Sequence, residues 1–170
     1  MKAQAELAPP PATPGGKPSD SPTGLSRPTA DTEDDQRPDG PRVLVVEDEP
    51  SIRAIVTDLL RFEGYDVRDA SHGLEALSIL ETWRPHAIVL DLMMPVMDGW
   101  AFAEAAHQVL GPDDVPPILI ASASPDLTEA ASSLRKFGVR AAVAKPFDVD
   151  VLLAALERLI LRTTADAWPG

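Results

Sequence analysis

The sequence predicts an α/β fold with a doubly wound, five-stranded parallel sheet and helices on both faces. Short apolar runs alternate with segments of helical periodicity over about 120 residues that begin at Arg42. Most of these runs are apolar throughout, which is typical of parallel strands that are buried on both faces. Strand–helix alternation of this kind favours right-handed crossovers, which keep neighbouring strands parallel.

The first two strand–helix pairs follow from the spacing of apolar residues. The apolar run 43–46 predicts a buried strand, and the helix after it ends at Gly64. The segment 65–70 alternates apolar and polar residues, which predicts a strand at the edge of the sheet. The second helix is expected at about 74–83. The apolar faces of the two helices are predicted to consist of Ile52, Ile55, Val56, Leu59 and Leu60, and of Ala76, Leu77, Leu80 and Trp83.

The last three pairs repeat this pattern. Further strands are predicted at 86–90, 117–121 and 139–144. The third helix follows Gly99, the fourth covers about 127–137 and ends at Gly138, and the fifth closes the domain. The predicted core positions are Phe102, Ala105, Ala106 and Val109 in the third helix, and Leu152, Ala155, Leu156, Leu159 and Ile160 in the fifth.

Residues 1–41 differ in composition from the rest of the chain. They contain nine of the eighteen prolines and few large apolar residues. Such a segment buries too little apolar surface to offset the entropy lost on ordering it. We therefore predict a disordered, Pro-rich acidic tail over 1–41, a folded domain over 42–162 and a short C-terminal tail over 163–170. The alternative for the first segment is an arm that folds on a partner.

The composition argues against several classes of function. The formal net charge of −12 argues against direct nucleic-acid binding, which requires clustered Lys and Arg. Because the chain has no cysteine, disulfides, zinc–thiolate sites and iron–sulfur clusters are excluded. No apolar run approaches the ~20 residues of a membrane span, and no signal peptide follows Met1. These observations predict a cytoplasmic protein without membrane contact.

Polar residues follow four of the five predicted strands. Glu47 and Asp48 follow the first strand, Asp91 the third, Ser122 the fourth and Lys145 the fifth. Each alone is also explained by helix capping or a turn, but the carboxyl ends of parallel strands meet at one edge of the sheet. Clustered carboxylates require a cation or a raised pKa, and hard oxygen ligands suit Mg²⁺. The set predicts a phosphoryl-transfer site in which a carboxylate can be the nucleophile.

A resemblance to a known family rests on four ordered motifs. They are VLVVEDEP at 43–50, DLMMPVMDG at 91–99, ASA at 121–123 and AKPF at 144–147. With these motifs the sequence resembles the receiver domain of two-component response regulators over about residues 42–162. The resemblance implies a flavodoxin-like sheet with the strand order 2-1-3-4-5.

The resemblance also implies a phosphoacceptor and a metal site. Asp91 would accept the phosphoryl group. Mg²⁺, or alternatively Mn²⁺, would be held by Glu47, Asp48, Asp91 and the backbone carbonyl of Met93. The family often has Asp at the position of Glu47, and we expect the longer side chain to reach the metal as well.

Other matching residues are implied to orient the phosphoryl group and to shape the surrounding loops. Ser122 would hydrogen-bond the phosphoryl group, and Lys145 would pair with one of its oxygens. The implied loop residues are Pro95 and Gly99 after the phosphoacceptor, the small Ala123 that leaves room for the donor, and Pro146 after a cis peptide bond.

Ala142 departs from the family pattern. The family often carries an aromatic residue three positions before the lysine, and its ring turns inward when the hydroxyl moves. Ala142 has no ring, so the coupling cannot operate in that form. We expect loop motion and a rearranged helix face to carry the signal, or a weak output.

The sequence as a whole predicts a phosphorylation-switched receiver. The donor is expected to be phosphohistidine of a histidine kinase or a phosphotransfer protein. The domain would catalyse its own phosphorylation and dephosphorylation without turning over external substrates. Ten residues follow Ile160, so a full-length chain is expected to act by contact with a downstream protein, whereas a piece of a longer regulator would have the same sequence here. A weak dimer through the fourth helix, fifth strand and fifth helix is also expected. The alternatives are a phosphate-independent interaction module and a metal-dependent phosphatase.

Overall fold

The computed structural model describes residues 40–166, and side chains as far as residue 162. Residues 1–39, which are most of the predicted tail over 1–41, and the last four residues, 167–170, lie outside the described residues. Five strands and five α-helices alternate along the described chain. The strands are β1 (Arg42–Val46), β2 (Asp66–Ala70), β3 (Ala87–Leu90), β4 (Ile118–Ser122) and β5 (Val139–Ala144). The helices are α1 (Pro50–Phe62), α2 (Gly73–Thr82), α3 (Gly99–Leu110), α4 (Leu127–Ser133) and α5 (Val149–Asp166), with a 3₁₀ turn at Leu134–Phe137 after α4.

The five strands form one parallel sheet in the order β2-β1-β3-β4-β5. This order confirms the predicted fold class. It also places β2 at an edge, as its alternating sequence predicts. The chain runs outward from β1 to β2 and then crosses back to β3, so the direction of winding reverses between β1 and β3. In sheets of this kind, ligands bind beside the strand ends at such a reversal.

The sheet is covered on both faces, because successive strand residues point to opposite sides. In β1, Leu44 and Val46 join a core with α2, α3 and α4, whereas Val43 and Val45 join a second core with α1 and α5. Burial of each such side chain stabilises the fold by roughly 1.5–3 kcal/mol. The two cores hold the strands rigidly. The carboxyl ends of the strands lead into the loops that carry polar residues.

Two predicted core positions are wrong. Ile55 in α1 is 66% exposed and Val109 in α3 is 67% exposed. In α3, the buried face instead includes Ala103 and Ala106. Successive residues of a helix differ in side-chain direction by about 100°. A predicted apolar face that is shifted by one residue therefore includes a side chain that points to solvent.

The fourth helix ends earlier than predicted. The expected helix over 127–137 becomes α4 followed by the 3₁₀ turn, and Gly138 ends the turn with a φ of 97°. This φ favours glycine. Helix α5 extends to Asp166.

Candidate functional site

Three acidic side chains meet at the carboxyl ends of β1 and β3. Carboxylate oxygens of Glu47, Asp48 and Asp91 all lie within 4.8 Å of one another. The backbone explains this placement. The N–H of Asp91 donates to the carbonyl of Val46 at 2.9 Å, and the N–H of Glu47 donates to the carbonyl of Ala70 at 3.0 Å. Sheet hydrogen bonding therefore continues one residue beyond the strands and brings the acids together.

Lys145 joins this acidic cluster from the end of β5. Its Nζ donates to Glu47 Oε2 at 2.5 Å and to Asp91 Oδ2 at 2.9 Å. The Lys145 side chain is 12% exposed, and its two partners are buried still more deeply. The backbone N–H of Lys145 donates to the carbonyl of Ser122 at 2.9 Å, and the peptide bond from Lys145 to Pro146 is cis.

The charges of the cluster do not balance. Three carboxylates and one ammonium leave a formal charge of −2 when all are ionised. Burial raises the pKa of Glu47, and the charge of Asp91 adds to this effect, while Lys145 opposes it. Burial lowers the pKa of Lys145, but its hydrogen bonds to Glu47 and Asp91 outweigh burial and leave that pKa raised. Lys145 is therefore a firmly charged ammonium.

The donor set of the cluster fits a hard divalent cation. Its ligand atoms are the carboxylate oxygens of Glu47, Asp48 and Asp91. Oxygen donors of this kind favour Mg²⁺, Ca²⁺ or Mn²⁺ over softer metals. A divalent ion would also match the uncompensated charge of −2.

The loop after Asp91 is closely packed against the acid. The N–H of Met93 donates to Asp91 Oδ1 at 3.1 Å. Farther along, Val96 adopts a φ of 69°, which is uncommon for a β-branched residue. Gly99 approaches the Asp91 backbone so closely that a Cβ would lie 2.4 Å from the Asp91 carbonyl oxygen. Pro95 lies in the same loop and is exposed.

Ser122 and Ala142 lie on β4 and β5. Ser122 is the last residue of β4 and is fully buried, and its Oγ accepts a hydrogen bond from the Ser124 N–H at 3.4 Å. The next residue, Ala123, is exposed. Ala142 is half-buried in β5 and lines a cavity of about 240 Å³ together with Thr128 and other residues of α4. The structure thus brings carboxylate oxygens of Glu47, Asp48 and Asp91 within 4.8 Å of one another. Lys145 contacts Glu47 and Asp91 through its side chain and Ser122 through its backbone.

Sequence reasoning missed Arg53. Its guanidinium donates to the carbonyl of Glu47 at 2.7 Å and to that of Asp48 at 3.3 Å. It also forms an ion pair with Asp69 at 3.2 Å. No sequence pattern distinguishes an arginine early in the first helix from a solvent-exposed charge. The sequence therefore carried no signal for these contacts.

The comparison with protein families identifies the family to which this chain belongs. The model of the response regulator receiver domain matches residues 43–157. This chain belongs to the response regulator receiver family. The match contains the acidic cluster and all of the five strands except Arg42, the first residue of β1, so the family resemblance seen in the motifs is confirmed.

Relatives of this receiver include response regulators from mycobacteria. Response regulator MprA of Mycobacterium sp. (strain KMS) is 38% identical over 128 residues, which are 75% of this chain and 54% of the relative. MprA of Mycobacterium tuberculosis (strain ATCC 25618 / H37Rv) is 38% identical over 122 residues, or 72% of this chain and 51% of the relative. The chain therefore spans about half the length of these relatives.

Solved structures share the receiver fold. The receiver domain of the Francisella response regulator 1452 superposes with a TM-score of 0.65 at 31% identity, covering 73% of this chain and 99% of that one. Chemotaxis response regulator CheY4 of Vibrio cholerae gives 0.62 at 33% identity, covering 71% and 98%. NtrX from Brucella abortus gives 0.65 at 28% identity, covering 74% of this chain and 28% of NtrX.

The partner prediction is wrong in excluding nucleic acid. It rested on the charge and length of this chain. The receiver is about half of each MprA relative and 28% of NtrX, so these response regulators have further segments, in which an output function such as DNA binding has room. The charge of a receiver domain says nothing about the ligands of such segments.

No helix among residues 40–166 combines the length and the apolar character that crossing a membrane requires.

Proposed function

We propose that this receiver domain accepts a phosphoryl group on Asp91 from the phosphohistidine of a histidine kinase or a phosphotransfer protein. The observation that supports this role best is the contact between Asp91 Oδ2 and the Lys145 ammonium at 2.9 Å, within a cluster that also contains Glu47 and Asp48. A buried carboxylate beside a fixed cation, in a cleft that suits a divalent ion, matches the requirements of an acyl-phosphate acceptor.

The chemistry assigns a task to each residue of the cluster. An oxygen of Asp91 attacks phosphorus, the O–P bond forms, and the electron pair of the breaking P–N bond returns to the imidazole of the donor. Mg²⁺ bound to Glu47, Asp48, Asp91 and the Met93 carbonyl would neutralise charge on the phosphoryl oxygens. Lys145, which holds its proton firmly, would pair with one of these oxygens.

The surrounding residues orient the group and keep the cleft open. The Ser122 hydroxyl lies at the end of β4, where it can donate to a phosphoryl oxygen. Ala123 is exposed, and its small side chain would leave room for the donor. Gly99 allows the loop to close over the Asp91 backbone, and Pro95 and the cis bond before Pro146 shape the loops on either side.

Phosphorylation with a small donor tests this role. Incubation with acetyl phosphate and Mg²⁺ should add one phosphoryl mass to the wild type and none to Asp91→Asn. Asp113→Asn is the matched control, because Asp113 is an exposed carboxylate in the loop after α3, and this variant should gain the same mass as the wild type. Absence of a mass gain in the wild type, with acetyl phosphate and with phosphorylated kinases alike, contradicts the proposed role.

Ala142 favours a second candidate, a phosphate-independent interaction module. The residue leaves a cavity where the family often places an aromatic ring, so the usual mechanical coupling of phosphate to the surface is missing. Equal affinity of a cognate partner for the wild type and for Asp91→Asn, with and without donor, would support this candidate over the first.

A further inference from the structure

We infer, on the basis of the proposed function, that Arg53 is a positioning residue for metal binding, because its guanidinium holds the Glu47–Asp48 backbone in the conformation that directs both carboxylates toward Asp91. Arg53 lies in α1, one turn after the helix begins, and its side chain is 20% exposed. It touches none of the reacting atoms, so it acts through the loop between β1 and α1.

The guanidinium of Arg53 contacts two of the three carbonyls of this loop, those of Glu47 and Asp48. One guanidinium nitrogen, Nη1, donates to the Glu47 carbonyl at 2.7 Å and to the Asp48 carbonyl at 3.3 Å. The N–H of Glu47, in the preceding peptide unit, donates to the Ala70 carbonyl at 3.0 Å. The Glu47 backbone is therefore hydrogen-bonded on both sides, which restricts the directions in which its side chain can leave the loop.

Asp69 supplies the third contact of the Arg53 guanidinium. It forms an ion pair with Arg53, in which Nε and Oδ2 lie 3.2 Å apart, and it precedes Ala70 at the end of β2. The edge strand β2 thus supports the loop twice, through the Ala70 carbonyl and through the Asp69 carboxylate. The planar guanidinium of arginine can direct Nε toward a strand and Nη1 toward a loop simultaneously. A lysine ammonium is a single point charge and cannot replace both contacts.

The charge of Arg53 makes the positioning role distinguishable from an electrostatic one. A cation near an acidic cluster repels a second cation. If charge were its main effect, removal of Arg53 would tighten divalent binding, although Asp69 compensates part of that charge. If it positions the loop, removal weakens binding, because the carboxylates lose their common direction.

Mg²⁺ titration calorimetry on the full chain separates the two roles. Arg53→Met removes the charge and keeps the apolar stem, and Arg53→Lys keeps the charge and removes the fork. Both should raise the Mg²⁺ dissociation constant about tenfold, the scale typical of residues that orient metal ligands. Arg61→Met is the matched control, because Arg61 is on the same helix and donates to the Val67 carbonyl at 3.2 Å, away from the acidic loop. Its dissociation constant should stay within about twofold of wild type.

Kinetics of phosphorylation by acetyl phosphate give a second readout. In Arg53→Lys, the half-saturating Mg²⁺ concentration should rise about tenfold, while the rate at saturating Mg²⁺ stays near that of the wild type. A general loss of structure would lower the saturated rate as well, and circular dichroism would detect it.

The outcomes are distinct. Unchanged or tighter Mg²⁺ binding in Arg53→Met contradicts the positioning role, and so does full retention of affinity in Arg53→Lys. If the wild type itself binds no Mg²⁺, the proposed function fails, and the positioning role fails with it. A wild type that binds, with Arg53 variants that bind equally well, contradicts the positioning role alone.

Discussion

Gly99 packs directly against the carbonyl of Asp91, the residue we assign as phosphoacceptor. A Cβ at position 99 would lie 2.4 Å from the Asp91 carbonyl oxygen and 2.8 Å from the Leu92 Cα. Both neighbours are backbone atoms that follow β3, so they cannot move aside as a flexible side chain could. The first turn of α3 and the reactive loop thus share one tight contact.

Gly99→Ala is therefore expected to displace the phosphoacceptor loop. We expect a loss of stability of about 1–3 kcal/mol, the usual cost of overpacking, together with slower phosphorylation by acetyl phosphate. Gly111→Ala is the control, because Gly111 has a φ of 90° and no atoms within 4 Å of a built Cβ. That variant should lose about 1–3 kcal/mol, because a φ of 90° with a ψ of 157° strains any residue other than glycine, and it should keep the wild-type rate. Equal phosphorylation rates in the two variants would contradict the role of the Gly99 contact.

Lys145→Met should destabilise the domain in the absence of divalent cations. The substitution leaves Glu47 and Asp91 buried without their ammonium partner, and breaking a buried pair costs about 3–5 kcal/mol. Added Mg²⁺ should restore much of the loss, because a ligand that binds the folded state stabilises it. Chemical unfolding with and without Mg²⁺ measures both effects.

Lys136→Met is the control for this experiment. Lys136 is an exposed lysine whose Nζ lies 4.7 Å from the Phe137 ring centroid. Its removal should cost about 0.5–1 kcal/mol, independent of Mg²⁺. A Lys145→Met variant as stable as Lys136→Met would show that the cluster does not depend on the ammonium.

The raised pKa of Glu47 predicts a dependence of stability on pH. A carboxyl group with a raised pKa in the folded state contributes stability that is complete below its unfolded pKa and is lost as pH rises through the folded pKa. Without divalent cations, Glu47→Gln should therefore gain stability relative to the wild type as pH rises above about 4.5. Thermal unfolding of both proteins between pH 4 and 8 tests this, and a difference that stays constant with pH contradicts it.

The lowered pKa of His86, which directly precedes β3, predicts the opposite dependence of stability on pH. Its Nδ1 accepts a hydrogen bond from the Arg42 N–H at 2.9 Å, and burial lowers the pKa of His86, with Arg42 adding to this effect. A depressed pKa means that the stability contributed by neutral His86 is present above its unfolded pKa and is lost as pH falls. The wild type should therefore lose stability as the pH falls below about 6.5, and His86→Gln should not show this loss. Parallel unfolding curves for the two proteins over this range would contradict the prediction.

The sequence predicted those parts of the molecule that depend on local pattern. Apolar runs followed by polar residues located the strands and placed Glu47, Asp48, Asp91 and Lys145 at one edge of the sheet, because parallel strands leave no other arrangement for their ends. The hydrogen bonds of Lys145 to residues 98 and 54 positions away were not predictable in detail. They depend on side-chain directions that only the packed sheet determines.

Other features depend on packing that periodicity does not describe. The exposure of Ile55 depends on the rotation of α1 against the sheet. The 3₁₀ turn after α4 ends at Gly138, where a Cβ would lie 2.7 Å from the Val115 side chain. Arg53 was missed because its role comes from contacts with a loop and with β2 at once. The exclusion of nucleic acid was wrong because it extended the composition of one domain to whole response regulators.

The central claim is that the acidic cluster becomes competent for phosphoryl transfer to Asp91 when a divalent cation occupies it. The most direct test measures the intact mass of the chain after incubation with acetyl phosphate, in Mg²⁺ and in excess chelator, with peptide mapping of the product. We expect one added phosphoryl group, located on Asp91, in Mg²⁺ and no addition in chelator. Equal phosphorylation in chelator, or a phosphoryl group on any other residue, would contradict the claim.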